Sequence, residues 1–225
     1  MYYFKDRIDA GKKIINELTK YFEYNEEKDF SDYIVVSIPR GGVIIGDMIA
    51  TNFNIDFDIV VSKKIGAENN KEFAIGAVMP DGSYFLNKEI ANINFTSQGY
   101  INEQVNIQRK EIERRLIEFR GSKTYDNKFE NKKIILVDDG IATGSTIIAA
   151  THWIKGEQKC QKLIVVVPVA PSRDNTIDKL KEISDKVIVL HREEKFFAVG
   201  QFYENFDQVE DIKVKKIMKN YGYPI

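Results

Sequence analysis

The chain has little of several residue types, and each shortage narrows its possible chemistry. Among 225 residues there is one cysteine, Cys160, so no disulfide can form within the chain and no cysteine cluster can hold a metal. Its polar neighbours, with no histidine near it in sequence, favour an inert thiol over a nucleophile. The two histidines, His152 and His191, are too few for a histidine-rich metal site, and we interpret both as structural.

Long apolar runs and an excess of one charge are also missing. No apolar run approaches the roughly 20 residues that a membrane-spanning helix needs. The polar, amphipathic N-terminal stretch contains no signal-peptide core, and the net charge is -1, so no overall basic field would attract nucleic acid or an acidic membrane. We therefore expect a cytoplasmic protein with no nucleic-acid partner and no membrane partner.

Apolar, β-branched runs alternate with helical patterns along most of the chain. With 43% apolar and 30% charged residues, the composition is typical of a soluble globular domain. The alternation predicts one α/β domain over residues 1–225, with a mostly parallel twisted sheet flanked by helices. The predicted strands are 33–38, 57–62, 133–137, 162–170 and 186–190, and the clearest predicted helices are 5–22, 43–52 and 145–155.

The middle of the chain departs from this alternation. Residues 63–73 are polar and predict a loop, and residues 74–86 predict a hairpin that turns at Pro80-Asp81-Gly82. A long helical pattern at 100–119 lies within an excursion of about 87–125. The mixed charges on its polar face are typical of a solvated surface.

Two adjacent acids, Asp138 and Asp139, stand directly after the run 133–137, and a loop of small residues leads from them into a helix. We call residues 138–146 the acid loop. Closely spaced backbone N–H groups at a helix N-terminus favour a phosphate, and nearby hydroxyls can add hydrogen bonds. The predicted phosphate-binding residues are Gly140, Ile141, Ala142, Thr143, Gly144, Ser145 and Thr146.

The second acid is what an ordinary turn leaves unexplained. An aspartate N-cap would account for one carboxylate, whereas two ionised carboxylates match the two hydroxyls of a sugar diol. The acid loop therefore predicts a sugar phosphate as ligand. It lacks the Gly-Lys-Ser/Thr of a Walker loop and the G-x-G-x-x-G of dinucleotide-binding proteins.

The segment "ILVDDGIATGST" resembles the signature of the type I phosphoribosyltransferases, which bind 5-phosphoribosyl 1-diphosphate. "SIPRGG" resembles the diphosphate loop of that fold, with Arg40 as its charged partner and with Gly41 and Gly42 allowing close backbone approach. An ordinary strand-to-helix turn is the alternative for this second segment. Both segments fall at predicted strand ends, where ligands bind in parallel sheets.

Further segments narrow the resemblance. "FKDRIDAGKKI", "VSKKIGAENNKEFAIGAV" and "AVGQFYENF" are similar to one subgroup of predicted bacterial phosphoribosyltransferases whose acceptor is unsettled. The resemblance implies displacement of diphosphate from the ribose by a ring nitrogen, a homodimer, and Mg²⁺ held mainly by the diphosphate and ribose oxygens, with no metal site made by protein residues alone. It also implies that Arg40, Lys64, Asp138 and Asp139 are catalytic, with Lys63 a weaker candidate than Lys64. Segment 63–73 and excursion 87–125 are both candidates for a lid.

The tail resembles the hood of hypoxanthine-guanine phosphoribosyltransferases, which implies a small hood at about 192–225. Matching its Val-Gly pair places Phe197 where an aromatic ring stacks on the base, with the backbone of Ala198 and Val199 at the base edge. A core phenylalanine is the alternative. Ala142 stands where that family has an acid, and Pro168 where it has a lysine, so the 6-oxopurine assignment is weakened and the acceptor stays open.

These observations leave more than one function to test. The leading hypothesis is a phosphoribosyltransferase that acts on a nitrogenous acceptor, expected to be aromatic and purine- or pyrimidine-like. The alternative is a non-catalytic regulatory protein of the same fold that binds phosphoribosyl diphosphate or a nucleotide. A weaker hypothesis is a phosphatase with Asp138 as its nucleophile.

Overall fold

The computed structural model describes residues 2–87, 91, 96–173 and 175–225. Along the chain its elements are α1 (Arg7–Tyr24), β1 (Tyr33–Ser37), α2 (Gly41–Phe53), β2 (Asp56–Ile59), β3 (Lys63–Ala67), β4 (Asn70–Val78), β5 (Tyr84–Leu86), α3 (Gln98–Arg120), β6 (Lys133–Val137), α4 (Ser145–Gly156), β7 (Lys162–Pro171), α5 (Thr176–Ile183), β8 (Lys186–Glu193), a 3₁₀ turn (Val199–Phe202) and α6 (Asp211–Asn220).

Five parallel strands form the main sheet, in the order β2-β1-β6-β7-β8. The strands at its centre are continuous apolar runs because the sheet is covered on both faces: all five residues of β1 are buried, as are the last four of β6. Helices α1 and α2 pack on each other and on the sheet, and α4 and α5 form a second pair that does the same. The predicted α/β fold, with a parallel sheet flanked by helices, is confirmed.

The order of the strands reverses at one place. From β1 the chain runs outward to β2, and from β6 it runs the other way to β7 and β8, so β1 and β6 are neighbours at a topological switch point. Their register pairs Ser37 with Val137, and both strands therefore end at the same level. Loops that leave the carboxyl ends at such a point bound a crevice, where ligands bind in open α/β sheets.

Helix α1 illustrates how local sequence sets the elements around the sheet. The side chain of Asp6 caps its N-terminus by accepting a hydrogen bond from the Asp9 N–H at 2.9 Å. Its buried apolar residues recur at helical spacing and face the core: Ala10, Ile14, Leu18 and Phe22.

The prediction of a polar loop over residues 63–73 is wrong. Strands β3 and β4 form an antiparallel pair there, and β5 completes a second, three-stranded sheet in the order β3-β4-β5. The many polar residues suggested a loop because only one face of this sheet is buried. Helices α3 and α4 cover that apolar face, and charged side chains lie on the other: Ile65 is fully buried whereas Lys64 is exposed. The turn predicted at Pro80-Asp81-Gly82 is present, closed by a hydrogen bond from the Met79 N–H to the Ser83 carbonyl at 2.8 Å.

Helix α3 lies within the predicted excursion 87–125, of which residues 88–90 and 92–95 lie outside the described residues. A buried ion pair fixes its C-terminal end. Arg120 binds both carboxylate oxygens of Asp58, at 2.7 and 3.0 Å, and its guanidinium lies over the ring of Tyr125. In the described part of the chain, no helix has the length and apolar character that a membrane crossing requires.

The predicted hood is joined to the start of the chain. The backbone of residues 3–5 hydrogen-bonds to residues 202–205, with Phe4 and Tyr203 forming a parallel bridge. Helix α6 follows and packs on α2 and α3. The N-terminal arm and the tail therefore lie together beside the main sheet.

Candidate functional site

The two loops singled out in the sequence touch each other at the switch point. A Cβ atom built on Gly41 would lie 1.7 Å from Asp139 Oδ2, and one on Gly42 would lie 2.8 Å from the Val137 carbonyl oxygen. The Ile38 N–H also donates to that carbonyl, at 2.9 Å. Only glycine leaves room for this approach, so the two glycines bring the N-terminus of α2 against the paired acids.

The two acids have different surroundings. Asp138 Oδ1 accepts a hydrogen bond from the Asp139 N–H at 2.8 Å. Burial, together with the neighbouring Asp139 carboxylate, raises the pKa of Asp138 well above its ordinary value of 3.8. Asp139 Oδ2 accepts instead from Arg7 Nε at 2.8 Å, and its backbone carbonyl accepts from the Tyr203 hydroxyl at 2.7 Å.

Arg7 and Tyr203 were missed in the sequence as site residues. Arg7 is the first residue of α1, and Tyr203 follows the 3₁₀ turn of the hood, so neither is near the acid loop along the chain. The only available signal was that both residues fall in segments that resemble the bacterial subgroup, "FKDRIDAGKKI" and "AVGQFYENF". Nothing in those segments indicates that their side chains meet Asp139.

The rest of the acid loop exposes a row of backbone N–H groups. Within the described residues, the N–H groups of residues 142–146 have no backbone acceptor, whereas the Ile141 N–H donates to the Val169 carbonyl at 2.9 Å. Gly144 is the N-cap of α4 in the left-handed region, with φ of +74°, and it supplies no capping side chain. The free donors and the helix dipole together favour an anion here.

A cavity of about 160 Å³ lies over these donors, lined by Asp138, Gly140, Ile141, Ala142, Thr143, Gly144, Thr146, Ile147 and Val199. At about 30 Å³ per water molecule, it has room for roughly five waters, or for a phosphate with part of a sugar. The structure thus gathers Asp138 and most of the predicted phosphate-binding residues around one space.

Ser145 is placed differently from the other predicted loop residues. It is 5% exposed and lines a neighbouring cavity of about 590 Å³ that also borders Ala142, Thr143 and the start of α5. Thr143 therefore faces both cavities, and Ser145 only the second. The three loop hydroxyls do not converge on a single point.

The two predicted cations lie on different elements. Arg40 precedes α2, after a cis peptide bond from Pro39, and its Nη1 atom is 3.1 Å from Asp211 Oδ1 at the start of α6. Lys64 lies in β3, opposite Ala77 of β4, and is exposed. Arg40 thus precedes Gly41, the residue that lies against Asp139 of the acid loop, whereas Lys64 belongs to the second sheet.

In the hood, Phe197 is 90% exposed, which rules out the core alternative for this ring. The segment around it is nevertheless ordered by Gln201, whose Oε1 accepts from the N–H groups of Phe197 and Ala198 at 2.7 and 3.1 Å. Val199 packs on the acid loop: a Cβ built on Gly140 would lie 2.5 Å from its Cγ1 atom. The hood thus sits over the loop and presents a bare aromatic ring.

Ala142 and Pro168, the two residues that depart from the hypoxanthine-guanine pattern, supply no replacement for the acid and the lysine of that pattern. Ala142 is exposed at the edge of the cavity, and Pro168 is buried within β7. Neither side chain has a polar group to bind an acceptor.

Burial raises the pKa of Cys160 to about 11, in agreement with an inert thiol.

Among the described residues, no group of three or more His, Cys, Asp or Glu side chains is arranged to hold a metal ion. The described residues therefore form no site that would hold a cation by protein ligands alone. A Mg²⁺ ion brought in on a phosphorylated substrate would need no such group, because that ion commonly takes most of its ligands from phosphate and water oxygens.

Comparison with known proteins identifies the family. The model of the phosphoribosyl transferase domain matches residues 5–206 of this chain, which is most of its length. The protein therefore belongs to the phosphoribosyl transferase family.

Two curated relatives, both from Mycobacterium tuberculosis and provisionally named phosphoribosyl transferases (MT0597 of strain CDC 1551 and Rv0571c of strain H37Rv), are each 30% identical over 211 residues. These residues are 94% of this chain but 45% of each relative, so the chain spans about half the length of the curated relatives it matches. Among solved structures, TT1426 from Thermus thermophilus superimposes with a TM-score of 0.76 at 29% identity, covering 98% of this chain and 99% of that one.

Proposed function

We propose that this protein is a Mg²⁺-dependent phosphoribosyltransferase, which transfers the 5-phosphoribosyl group from phosphoribosyl diphosphate to a nitrogenous acceptor and releases diphosphate. One observation carries the proposal: the paired acids, the free backbone donors of the acid loop and the diglycine segment after Arg40 all meet at the switch point. Family membership supports the same class of reaction.

Each part of this site has a chemical role in the proposal. The free N–H groups of residues 142–146 bind the 5-phosphate, and Asp138 and Asp139 accept hydrogen bonds from the ribose hydroxyls. Arg40 and the first N–H groups of α2 stabilise the negative charge that grows on the departing diphosphate. Mg²⁺, when bound to the substrate, supplies further positive charge to the diphosphate oxygens.

Lys64 contributes if the second sheet closes over the ligand. The carbon centre left by diphosphate resembles an oxocarbenium ion and needs protection from water. The hairpin β3–β4 contains the whole of the candidate lid 63–73, and it packs on α4, the helix that begins at the acid loop. We infer that this hairpin, rather than the excursion 87–125, is the lid.

The acceptor is proposed to be a flat, nitrogen-containing ring. The exposed ring of Phe197 offers a stacking surface, and stacking alone selects aromatic ligands without naming one. The side chains of Ala142 and Pro168 offer no hydrogen bond at the positions where the hypoxanthine-guanine family has polar groups.

A direct test measures diphosphate release from phosphoribosyl diphosphate in the presence of Mg²⁺ and a panel of purines, pyrimidines and smaller heterocycles. We expect release with at least one base, and its loss in an Arg40→Ala variant that still binds ribose 5-phosphate. Binding of phosphoribosyl diphosphate without release on any base would favour the regulatory alternative. A homodimer and a cytoplasmic location are further proposals, which rest on the family resemblance and on composition.

A further inference from the structure

The proposed chemistry gives no role to the ion pair that Arg7 makes with Asp139 in the site. Its ion pair with Asp139 is largely shielded from solvent, with 11% of the Arg7 side chain and 15% of the Asp139 side chain exposed. Arg7 Nη1 donates to the Asp207 carbonyl at 2.8 Å, and its guanidinium lies 3.9 Å from the centre of the Phe206 ring. Arg7 thus links Asp139 to two residues of the hood segment, Phe206 and Asp207.

Hydrogen bonds from protein N–H donors occupy one carboxylate oxygen of each acid. Asp138 uses Oδ1 for the Asp139 N–H, and Asp139 uses Oδ2 for Arg7. Asp138 Oδ2 and Asp139 Oδ1 remain, and Asp138 lines the cavity over the acid loop. Without Arg7, the Asp139 carboxylate could rotate, and the Gly41 segment against which it rests would lose its support.

We propose that Arg7 is a positioning residue for ribose recognition: it fixes Asp139 Oδ2 so that Oδ1 accepts a hydrogen bond from one ribose hydroxyl. This inference rests on the proposed function, because it needs a ribose at the acid loop. Since Arg7 is itself held by Asp207 and Phe206, the geometry of the acid pair depends on the docking of the hood segment that carries them.

The chain offers a matched control for the loss of such an ion pair. Lys133 lies at the opposite end of β6 from Asp138, pairs with Glu27 at 2.6 Å, and is 23% exposed. It also has an aromatic neighbour, with its Nζ atom 5.1 Å from the centre of the Tyr33 ring. Lys133→Met therefore removes a comparable ion pair and cation–π contact far from the proposed ligand.

The experiment measures Kd by calorimetry for ribose 5-phosphate, its 2-deoxy and 3-deoxy forms, and inorganic phosphate. We expect the wild type to prefer ribose 5-phosphate over at least one deoxy form by roughly tenfold or more, as for a hydrogen bond to a charged group. In Arg7→Met this preference should fall below about threefold, while the Kd for inorganic phosphate changes by less than about twofold. Arg7→Lys, which keeps the charge but not the two-donor fork, should lie between.

The outcomes separate this inference from the proposed function. A wild type that binds ribose 5-phosphate no better than either deoxy form would overturn both, because no acid would then read a hydroxyl. A wild-type preference that survives unchanged in Arg7→Met and Arg7→Lys would overturn the role of Arg7 alone. An equal loss of preference in Lys133→Met would also overturn it, since the effect would then be general destabilisation.

Discussion

The acid loop and the hood lie side by side, yet protein contacts fix their side chains to different extents. In the acid loop, each carboxylate has one oxygen fixed by a protein donor, and Gly41 packs against Asp139 with no room for a Cβ. In the hood, the backbone around Phe197 is ordered by Gln201, but the ring itself is 90% exposed. The acid loop is therefore close-packed, whereas the Phe197 ring of the hood is exposed to solvent.

This difference matches the two halves of the proposed reaction. The sugar phosphate offers hydroxyls and charges that fixed donors and acceptors can recognise, and pre-organised groups bind such a ligand without further ordering cost. The acceptor side offers a stacking surface and few polar groups. Affinity should therefore reside in the acid loop, and discrimination between acceptors should be weak.

The largest effect is expected where the packing is tightest. Gly41→Ala would force a methyl group onto Asp139, so we expect binding of phosphoribosyl diphosphate to fall at least about a hundredfold and the free energy of unfolding to drop by about 1–3 kcal/mol. Calorimetry and urea unfolding measure the two quantities. Gly156→Ala is the matched control, because a Cβ there meets no atom within 4 Å. Near-normal binding in Gly41→Ala would show that the two loops need not touch.

The second prediction compares the two acids with each other. Because its pKa is raised in the folded state, an ionised Asp138 destabilises the fold by about 1.4 kcal/mol for each unit of the rise. The cost is absent well below pH 3.8, where the carboxyl is protonated in both states, grows as pH rises toward the folded-state pKa, and is complete above it. Asp138→Asn should therefore be more stable than the wild type at neutral pH, with the gain vanishing in acid.

Asp139→Asn should have the opposite sign at neutral pH, because it breaks the ion pair with Arg7 and leaves that cation largely shielded from solvent. Urea unfolding of both variants at several pH values tests this contrast. If the two substitutions changed stability in the same direction at pH 7, the difference in surroundings described for the two acids would be contradicted.

The smallest effect is expected in the hood. Removing the stacking ring in Phe197→Ala should raise the KM for the acceptor by roughly five- to tenfold, with the Kd of phosphoribosyl diphosphate and the thermal stability unchanged, since the ring is exposed. Phe196→Ala is the control: that ring packs on Phe202 at 4.9 Å, so its loss should lower stability. An unchanged KM for the acceptor in Phe197→Ala would show that the acceptor does not stack on the hood.

The acid loop could be predicted from sequence because its signals are local. Strand β6 has the predicted bounds, and α4 begins at the predicted residue, since an apolar run, two acids and a small-residue loop follow one another directly. The contacts that complete the site are not local. Arg7 and Tyr203 reach Asp139 across 132 and 64 residues of chain, and a single sequence has no periodicity that would reveal such pairs.

The second sheet shows the other limit. Strands β3 and β4 have short apolar stretches among charged residues, and their pairing depends on cover from α3 and α4. Local polarity therefore predicted a loop where tertiary packing makes a hairpin. Strand β8 also extends to Glu193, beyond the predicted residue 190, because its last residues pair with β7 despite their charge.

The role of the paired acids is tested most directly by calorimetric titration with phosphoribosyl diphosphate, with and without Mg²⁺, of the wild type and of the Asp138→Asn/Asp139→Asn variant. We expect Mg²⁺-dependent binding to the wild type with a Kd in the micromolar range, about -8 kcal/mol, and no binding to the folded variant. A wild type that does not bind phosphoribosyl diphosphate, or a folded variant that binds it as tightly as the wild type, would contradict the assignment of the paired acids to a ribose.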